Sequence, residues 1–504
     1  SWTARGLRVR QTKDALRRPI ATYVADTSGD EIVTERVVYG ESVPQATNAN
    51  LRGQPYMSFD GVGQVVVHAY DFGDKPLSTT RRYAEEFAPE RQELDWSALA
   101  ELTELDDIVT AADGLLEGDS YTTSFSYDAL DRVVEQVTPD GATTAMSYDE
   151  GGLLERIEVE TPNEEIHVVL SDVDENARGQ RVREVLGQDG VERQYWYDDK
   201  TYRLTRLRST RLEDSAVLQD LRYTYDVVGN IVQVTYPEDE LHFEREVTSG
   251  TRLYVYDRLY RLTSSSGREH PGQQPTANSS QLFGQVPHPN DQNALQPYTE
   301  TYSYDKNGNI TQMKHSGEVN WTRDYVIDDS AGTNRLISHN RPSAPDPYTY
   351  TYDAAGNMNA MAHIASMLYT SGEQLAEADL GGGGVATYGY AGGERARKVI
   401  DHGGWTERRL YLGGWERYRR ANGSLSIERD TLHVYEGDRR IALIETLTRK
   451  DGKDIPVVDQ EPRVRVQLDD HLGSACVEVD LAGKVIGYEE YFAYGATSFR
   501  MTDA

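Results

Sequence analysis

The sequence is poor in the residues from which covalent and metal cross-links are built. Cys476 is the only cysteine among 504 residues, which excludes a disulfide framework within the chain and a cysteine-based zinc site. Histidines such as His242, His270, His288 and His315 show neither the His-x-x-x-His nor the His-Glu-x-x-His spacing of zinc proteins. The sequence therefore predicts no metal site and no cofactor.

Long apolar runs are also scarce, and the 52 basic residues are outnumbered by 83 acidic ones. No apolar stretch approaches the roughly 20 residues that a membrane-spanning helix needs. The net charge of −31 repels phosphate backbones and anionic lipid surfaces, so binding to nucleic acid or insertion into a membrane is disfavoured. The charge fits plain solubility or adaptation to salt as well as a more specific role of the surface, and composition does not decide between them.

Motifs for independent catalysis are missing as well. The Gly381–Gly384 run lacks the Gly-Lys-Ser/Thr ending of a phosphate-binding loop, and there is no Gly-x-Ser-x-Gly elbow. Cys476 lies in an apparent strand, where a small buried apolar side chain is its usual role. We predict no catalytic residue and therefore no enzyme within residues 1–504.

What the chain does have is a Tyr-Asp sequence motif, which occurs eight times. Before Asp226, apolar or aromatic residues alternate, which places Tyr223 and Tyr225 on one face of a strand. We expect these rings to pack on the sheet while their hydroxyls reach water. Asp226 caps the turn, Gly229 supplies a positive φ and Asn230 tolerates one. Each motif therefore predicts a β-hairpin.

The repeat residues predicted to have this structural role share one pattern, an aromatic strand end followed by a turn-capping acid. They are Tyr127 and Asp128, Tyr148 and Asp149, Tyr225 and Asp226 with Gly229, Tyr256 and Asp257, Tyr304 and Asp305 with Gly308, and Tyr352 and Asp353 with Gly356. Calcium ligands or paired catalytic carboxylates are the alternative roles for acids such as Asp226 and Asp305. Because an isolated hairpin is marginal in water, the units should pair into one long twisted sheet.

Three stretches interrupt the repeat. Residues 78–107 have helical composition, with Ser97 a candidate N-cap, and predict a small helical insertion. Residues 267–299 concentrate Pro, Gln, Asn and Gly and predict an extended loop insertion, and residues 339–347 predict a shorter loop.

The chain resembles the YD-repeat (RHS) proteins in three features. These are the Tyr-Asp motifs, the stretch Leu218-Gln219-Asp220-Leu221-Arg222-Tyr223 and the closing segment Gly487-Tyr488-Glu489-Glu490-Tyr491. From about residue 8 to residue 500 the chain looks most like the C component, or fused B–C protein, of the insecticidal toxin complexes (Tc toxins). The resemblance implies an all-β fold in which YD hairpins form a long antiparallel sheet that spirals into a hollow shell. In that family the shell encloses a toxic C-terminal segment.

The resemblance also implies a domain layout. Residues 1–465 would be the β-shell, and residues 466–504 the beginning of the RHS-associated core, with the family's aspartyl autoprotease expected beyond residue 504. About five hundred residues make too little wall for a closed shell, so a B-type component should complete it, docked on a pore-forming A-type translocator.

Two function hypotheses remain open. The first is a structural container of a secreted, extracellular toxin complex that shields a C-terminal effector. The second is a teneurin-like recognition or adhesion module that binds glycans or a cell-surface receptor. The segment that follows the shell would discriminate between them, because a cleavage core with a variable tail indicates a toxin carrier and an anchor indicates adhesion.

Overall fold

The computed structural model describes residues 1–88, 92–236, 249–270, 272, 295–328, 332–341 and 344–502. Within these ranges the chain is a succession of antiparallel hairpins in a 23-stranded sheet, a two-stranded sheet and a 13-stranded sheet. The prediction of an all-β chain of paired YD hairpins is thereby confirmed.

The first sheet contains twenty-three strands: β1 Arg8–Lys13, β2 Pro19–Ala25, β3 Glu31–Tyr39, β4 Pro55–Phe59, β5 Gly63–Tyr70, β6 Pro76–Tyr83, β7 Tyr121–Tyr127, β8 Val133–Val137, β9 Thr143–Tyr148, β10 Leu154–Glu160, β11 Ile166–Glu175, β12 Arg181–Leu186, β13 Val191–Tyr197, β14 Leu204–Arg211, β15 Val217–Tyr225, β16 Ile231–Thr235, β17 Arg252–Tyr256, β18 Leu262–Glu269, β19 Gln296–Tyr304, β20 Ile310–Ser316, β21 Trp321–Ile327, β22 Leu336–Arg341 and β23 Ala344–Thr349.

The small sheet pairs β24 Thr351–Tyr352 with β25 Met358–Ala360. The last sheet contains β26 Ser366–Tyr369, β27 Leu375–Asp379, β28 Val385–Ala391, β29 Glu394–Asp401, β30 Thr406–Leu412, β31 Trp415–Asn422, β32 Ser424–Glu436, β33 Arg439–Lys450, β34 Lys453–Asp454, β35 Arg463–Asp469, β36 Ala475–Val479, β37 Val485–Tyr491 and β38 Thr497–Thr502. One α-helix, α1 Leu105–Asp113, and short 3₁₀ helices at Gly40–Ser42, Ala46–Ala49, Ser97–Leu99, Gly381–Gly383 and Val457–Asp459 complete the described elements.

The helical insertion begins later than the sequence predicts. Residues 78–83 belong to strand β6, which pairs with β5 and, across the insertion, with β7. Two charged residues of the predicted helical segment belong to this strand and form ion pairs. Arg81 pairs with Asp60 at 2.8 Å, and Arg82 pairs with Asp113 at 2.8 Å. Ser97 begins only a 3₁₀ turn, because its hydroxyl accepts the Val33 N–H at 3.1 Å.

Strands also occupy much of the two segments that the sequence predicts as loops. Strand β18 extends to Glu269 and β19 starts at Gln296, so the ends of the predicted 267–299 loop are paired strands, and residues 271 and 273–294 lie outside the described residues. The predicted loop at 339–347 is wrong, because strands β22 and β23 cover most of it. Proline is tolerated in β23 since, among the described strands, its ladder partner is β22 alone, which leaves its other edge unpaired.

The ribbon passes over itself, and the two overlapping passes run in the same direction. We call residues 1–270 the first circuit, residues 366–502 the second circuit, and the line where they meet the seam. Contacts along the seam advance in parallel: Arg5 with Tyr369, Tyr83 with Ala396, Asp119 with Arg419, Asn163 with Gln460, Arg193 with Asp469, and His270 with Ser498. A flat sheet cannot make such a series, so the ribbon coils.

The coil narrows along the chain. The two partners at the start of the seam, Arg5 and Tyr369, are 364 residues apart in sequence, whereas Arg268 and Glu490 near its end are 222 apart. The number of strands between the two partners also falls. The hydrogen bond from Tyr83 joins β6 to β29, and the Arg268 ion pair joins β18 to β37. A circuit therefore contains fewer strands toward the C-terminal end of the described chain.

The main hydrophobic core lies along the seam. It combines side chains from the first circuit, such as Leu170 and Leu186, with others from the second, such as Leu468 and Val479, all at most 1% exposed. A second cluster joins Tyr83 to Trp415 in the same way. Burial of apolar surface is thus what holds one circuit against the next.

Candidate functional site: the turn edge and the seam

The turns that carry the repeat acids form one edge of the ribbon. In the best-formed turn, Asp226 Oδ1 accepts the N–H groups of Val228 at 3.0 Å, Gly229 at 2.7 Å and Asn230 at 2.9 Å. Its Oδ2 accepts the Asn230 side-chain amide at 2.7 Å, and Gly229 has φ +112°. Both carboxylate oxygens accept hydrogen bonds from within the turn, which is the geometry of a turn cap.

The other repeat acids cap their turns in related ways. Asp305 and Asp353 receive a side-chain amide four residues on, whereas Asp128 and Asp257 receive the guanidinium of Arg132 and Arg261; Asp149 accepts the Leu153 N–H at 2.8 Å. The Asn309 amide, followed by backbone N–H groups, lowers the pKa of Asp305 despite some desolvation. Each of these carboxylates accepts hydrogen bonds within its own turn, and within the described ranges no group of three or more His, Cys, Asp or Glu side chains is arranged to hold a metal ion.

The repeat tyrosines have a role that sequence reasoning missed. Their hydroxyls donate to the carbonyl of the first residue of the returning strand of the preceding hairpin. The six pairs are Tyr127 with Pro76, Tyr148 with Val133, Tyr225 with Leu204, Tyr256 with Ile231, Tyr304 with Leu262 and Tyr352 with Leu336, at 2.6 to 3.2 Å.

The tyrosine hydroxyl is needed because of where the backbone hydrogen bonds between neighbouring hairpins end. Pairing of β8 with β9 ends at Glu135 and Ala145, so the carbonyl of Val133 lies beyond the last ladder pair. The Tyr148 hydroxyl supplies the missing donor at 2.9 Å, which removes the cost of an unpaired backbone acceptor. The tyrosine is therefore a clasp between hairpins, and phenylalanine in its place would leave this carbonyl without the hydroxyl donor.

A basic residue four or five positions after the acid extends the clasp. Arg132 lies over the Tyr148 ring, 4.0 Å from its centroid, and donates to the carbonyl of Gly152 in the next turn at 2.8 Å. Arg261 does the same to Tyr304 and the Asp305 carbonyl. The recurrence of arginine at this spacing was the signal in the sequence from which this contact could have been read.

The seam contains a buried cluster of charges, which we call the Glu184 cluster. Glu184 is fully buried; its Oε1 accepts from Arg439 Nη1 at 2.9 Å, Arg193 Nη1 at 3.2 Å and the Tyr195 hydroxyl at 2.7 Å. Its Oε2 accepts from Arg181 Nη1 at 2.7 Å and Arg439 Nη2 at 2.5 Å. Two circuits thus meet on one carboxylate.

Further contacts complete this cluster on the second circuit. Glu436 pairs with both Arg181 and Arg439, and Asp469 accepts from Arg193 at 2.6 Å. Burial alone would raise the pKa of Glu184, but Arg439 and the other arginines outweigh it and hold that pKa well below its usual range. Glu184 therefore stays ionised over the whole physiological pH range.

In the described part of the chain, no helix is both long and apolar enough to cross a membrane.

Comparison with known proteins agrees with this architecture. Residues 127–163 match the sequence model of the RHS repeat family. The chain is 28% identical over 501 residues to the toxin subunit YenC2 of Yersinia entomophaga and 29% identical over 492 residues to YenC1 of the same organism. These matches cover 95% and 94% of this chain but 50% and 48% of the relatives, so the chain spans about half their length.

Solved structures show the same fold. The crystal structure of TcdB2-TccC3 without its hypervariable C-terminal region superposes with a TM-score of 0.83 at 25% identity, covering 100% of this chain and 23% of that one. A Tc holotoxin pore of Photorhabdus luminescens gives a TM-score of 0.81 at 25% identity, with 99% and 23% covered. The resemblance to RHS proteins of the Tc toxin type is confirmed.

Proposed function

We propose that this chain forms part of the wall of a toxin complex container that encloses and shields a C-terminal effector before its translocation. The observation that carries the proposal is the seam, where the second circuit of the ribbon lies parallel on the first and is closed by buried apolar and ionic contacts. A ribbon that coils in this way surrounds a space instead of presenting a flat binding face. Likeness to toxin subunits over almost the whole chain supports the same role.

The partners follow from the same reasoning. The chain accounts for 23% of the TcdB2-TccC3 chain that it superposes on, so most of a comparable wall comes from other segments. We propose that a B-type component completes the shell, that an A-type pore-forming component receives it, and that the complex acts outside the producing cell. The wall itself has a structural role and no catalytic one.

The domain layout remains part of this proposal. We assign residues 1–465 to the wall and residues 466–504 to the beginning of the RHS-associated core. Strand β35 pairs with β33 and β36, and β38 pairs with β37, so the described part of 466–504 continues the sheet of the wall. The core would therefore begin as an extension of the ribbon.

Cryo-electron microscopy of the complete protein together with its B-type component tests the container. We expect a hollow β-walled body with density for an enclosed segment, and an effector that resists added protease until the wall is unfolded. A compact two-layer sandwich without an interior, or an effector digested as fast as the free polypeptide, would rule the container out. Neither the relatives nor the solved structures support the adhesion hypothesis.

A further inference from the structure

A polar cavity lies at the start of the seam, between strands β27 to β29 of the second circuit and strands β2 and β3 of the first. Its volume is about 360 Å³. Small-molecule sites in proteins occupy roughly 300 to 1,000 Å³, so the cavity is large enough for a ligand. The insertion between β6 and β7 adds a third wall through Phe87 and Glu93. Both circuits therefore build the cavity together.

The cavity is not a general loosening of the seam. Directly beside it the two circuits are in close contact. A Cβ added to Gly389 would lie 2.4 Å from Val62 Cγ1, and one added to Gly61 would lie 2.7 Å from the carbonyl oxygen of Tyr390. The space is thus a shaped recess in an otherwise closely packed junction.

The second circuit presents three polar side chains on one face of its sheet. Thr387 of β28 is directly opposite Glu377 of β27, and Gly389, two residues further on, is opposite Arg397 of β29. Alternate residues of a strand share a face, so Glu377, Thr387 and Arg397 lie on the same side. All three line the cavity, which therefore has a carboxylate, a hydroxyl and a guanidinium close together.

Two of these groups are buried and have hydrogen-bonding capacity that the described chain does not use. Arg397 is 3% exposed and donates to the carbonyls of Ala84 at 2.7 Å and Glu86 at 2.8 Å, but none of the described carboxylates forms an ion pair with it. Burial is the main reason that the pKa of this arginine is lowered to about 10. Thr387 is 7% exposed, and its hydroxyl has no partner among the described residues. Since buried polar groups are normally satisfied, both groups point to a bound molecule.

Acceptors come from both circuits. In the part of the chain that the structure describes, the Glu377 carboxylate forms no ion pair or hydrogen bond. Glu35 of β3 accepts the Thr22 hydroxyl at 2.8 Å, and Glu93 accepts the Ser371 N–H. A carboxylate has about four acceptor positions, so each of these groups can accept further hydrogen bonds.

We propose that this cavity binds a small neutral saccharide that contacts both circuits. Empty cavities in proteins are apolar, whereas a cavity lined by charged and hydroxyl groups holds molecules that form hydrogen bonds. A sugar hydroxyl is both donor and acceptor, so it can donate to Glu377 and accept from Arg397. The ring of Phe87, 41% exposed, offers an apolar face against which a sugar ring can pack.

The mixed charges of the lining favour a neutral ligand over a charged one. An anion would meet the carboxylates of Glu35, Glu93 and Glu377, and a cation would meet the buried guanidinium of Arg397. Burial also raises the pKa of Glu93, which shows that the cavity disfavours charge. Neutral hydroxyl groups satisfy both signs without adding a charge.

Saturation-transfer NMR on the intact chain tests the site with three neutral disaccharides, cellobiose, maltose and N,N′-diacetylchitobiose. We expect at least one of them to bind with a Kd below about 10 mM. Free lysine and free glutamate serve as charged probes and should bind more weakly. Failure of all three disaccharides to bind, or tighter binding of either amino acid, would overturn the proposal.

A charge-removing variant connects the binding to the cavity. Glu377→Gln should weaken disaccharide binding at least about tenfold, because a hydrogen bond to a charged acceptor is lost. The fold should tolerate the change, since this carboxylate has no partner among the described residues. Glu394→Gln is the matched control, because Glu394 is exposed at the start of β29 and does not line the cavity. Equal affinities of the two variants would contradict the site.

Hydrogen exchange locates the bound sugar. At ten times its Kd, the sugar should lower the opening constant of amides in residues 92–94 and 370–377 about tenfold, because it binds only the closed junction. Amides of β14 and β15, which do not line the cavity, should not change. Protection of other segments without protection of these two would refute the assignment. Because every readout concerns this cavity, the outcome does not depend on the container function.

Discussion

Removing the charge of Glu184 should weaken the seam strongly, because this one carboxylate joins the two circuits. In Glu184→Gln the fold keeps a side chain of the same size, so the change acts through charge and hydrogen bonding. The carboxylate accepts five hydrogen bonds, four of them from the guanidinium groups of Arg181, Arg193 and Arg439. Glutamine retains one acceptor oxygen and turns an amide N–H₂ group toward cations.

The magnitude follows from these contacts. A hydrogen bond to a charged group contributes roughly 1.5 to 3 kcal/mol, and at least two are lost. Three arginines also lose a shared counter-charge in a fully buried place, and breaking a buried ion pair by removing one partner costs about 3 to 5 kcal/mol. We therefore expect Glu184→Gln to lower the free energy of unfolding of the seam by about 3 to 5 kcal/mol.

Urea unfolding is the appropriate assay because urea adds no ions. Hydrogen exchange in β12, β13 and β33 would show whether the loss is confined to the seam. Glu158→Gln is the control, since Glu158 is 38% exposed and pairs with Arg156 on its own strand, and it should cost less than about 1 kcal/mol. A loss below about 1 kcal/mol for Glu184→Gln, or equal effects of both variants, would refute the role assigned to the cluster.

The remaining predictions concern acid and the turn edge. Because the pKa of Glu184 is strongly lowered, its contribution is present above about pH 4.5 and should survive to about pH 3, so seam amides should stay protected there in hydrogen exchange. Gly229→Val should cost on the order of 1 to 3 kcal/mol in urea unfolding, because φ is +112° there, whereas Gly404→Ala, with no atom within 4 Å of the new Cβ, should be nearly neutral. Tyr225→Phe should cost about 0.5 to 1.5 kcal/mol by removing the 2.7 Å hydrogen bond to the Leu204 carbonyl, whereas Tyr435→Phe, at a ring 41% exposed, should change little; equal values would contradict the clasp.

The repeat was open to prediction because its signals are local. Alternation before Asp226 and the Asp-x-x-Gly-Asn order set a strand end and a reversal through contacts no more than four residues apart. The same locality explains the errors. Arg81 and Arg82 looked helical in composition, and their assignment to a strand depends on Asp60 and Asp113, which lie more than twenty residues away.

The contacts that hold the two circuits together could not be read in the same way. Glu184 and Arg439 are 255 residues apart, and nothing near either in sequence signals a shared buried site. The buried contacts of His315 on β20 have the same character, since its carboxylate partners Glu269 and Glu300 come from β18 and β19 and the ring of Phe492 comes from the turn after β37.

The sequence by itself determined the unit of construction: a hairpin of alternating residues, turned by an acid and a glycine, repeated until it had to form a ribbon. Short-range sterics and hydrogen bonds suffice for that. Only the tertiary structure decided that the ribbon passes over itself with a narrowing circuit, that tyrosine hydroxyls clasp one hairpin to the next, and which charges are buried where circuits meet. Those outcomes depend on how many strands complete a circuit, which is set by the twist summed over the whole sheet and by no single segment.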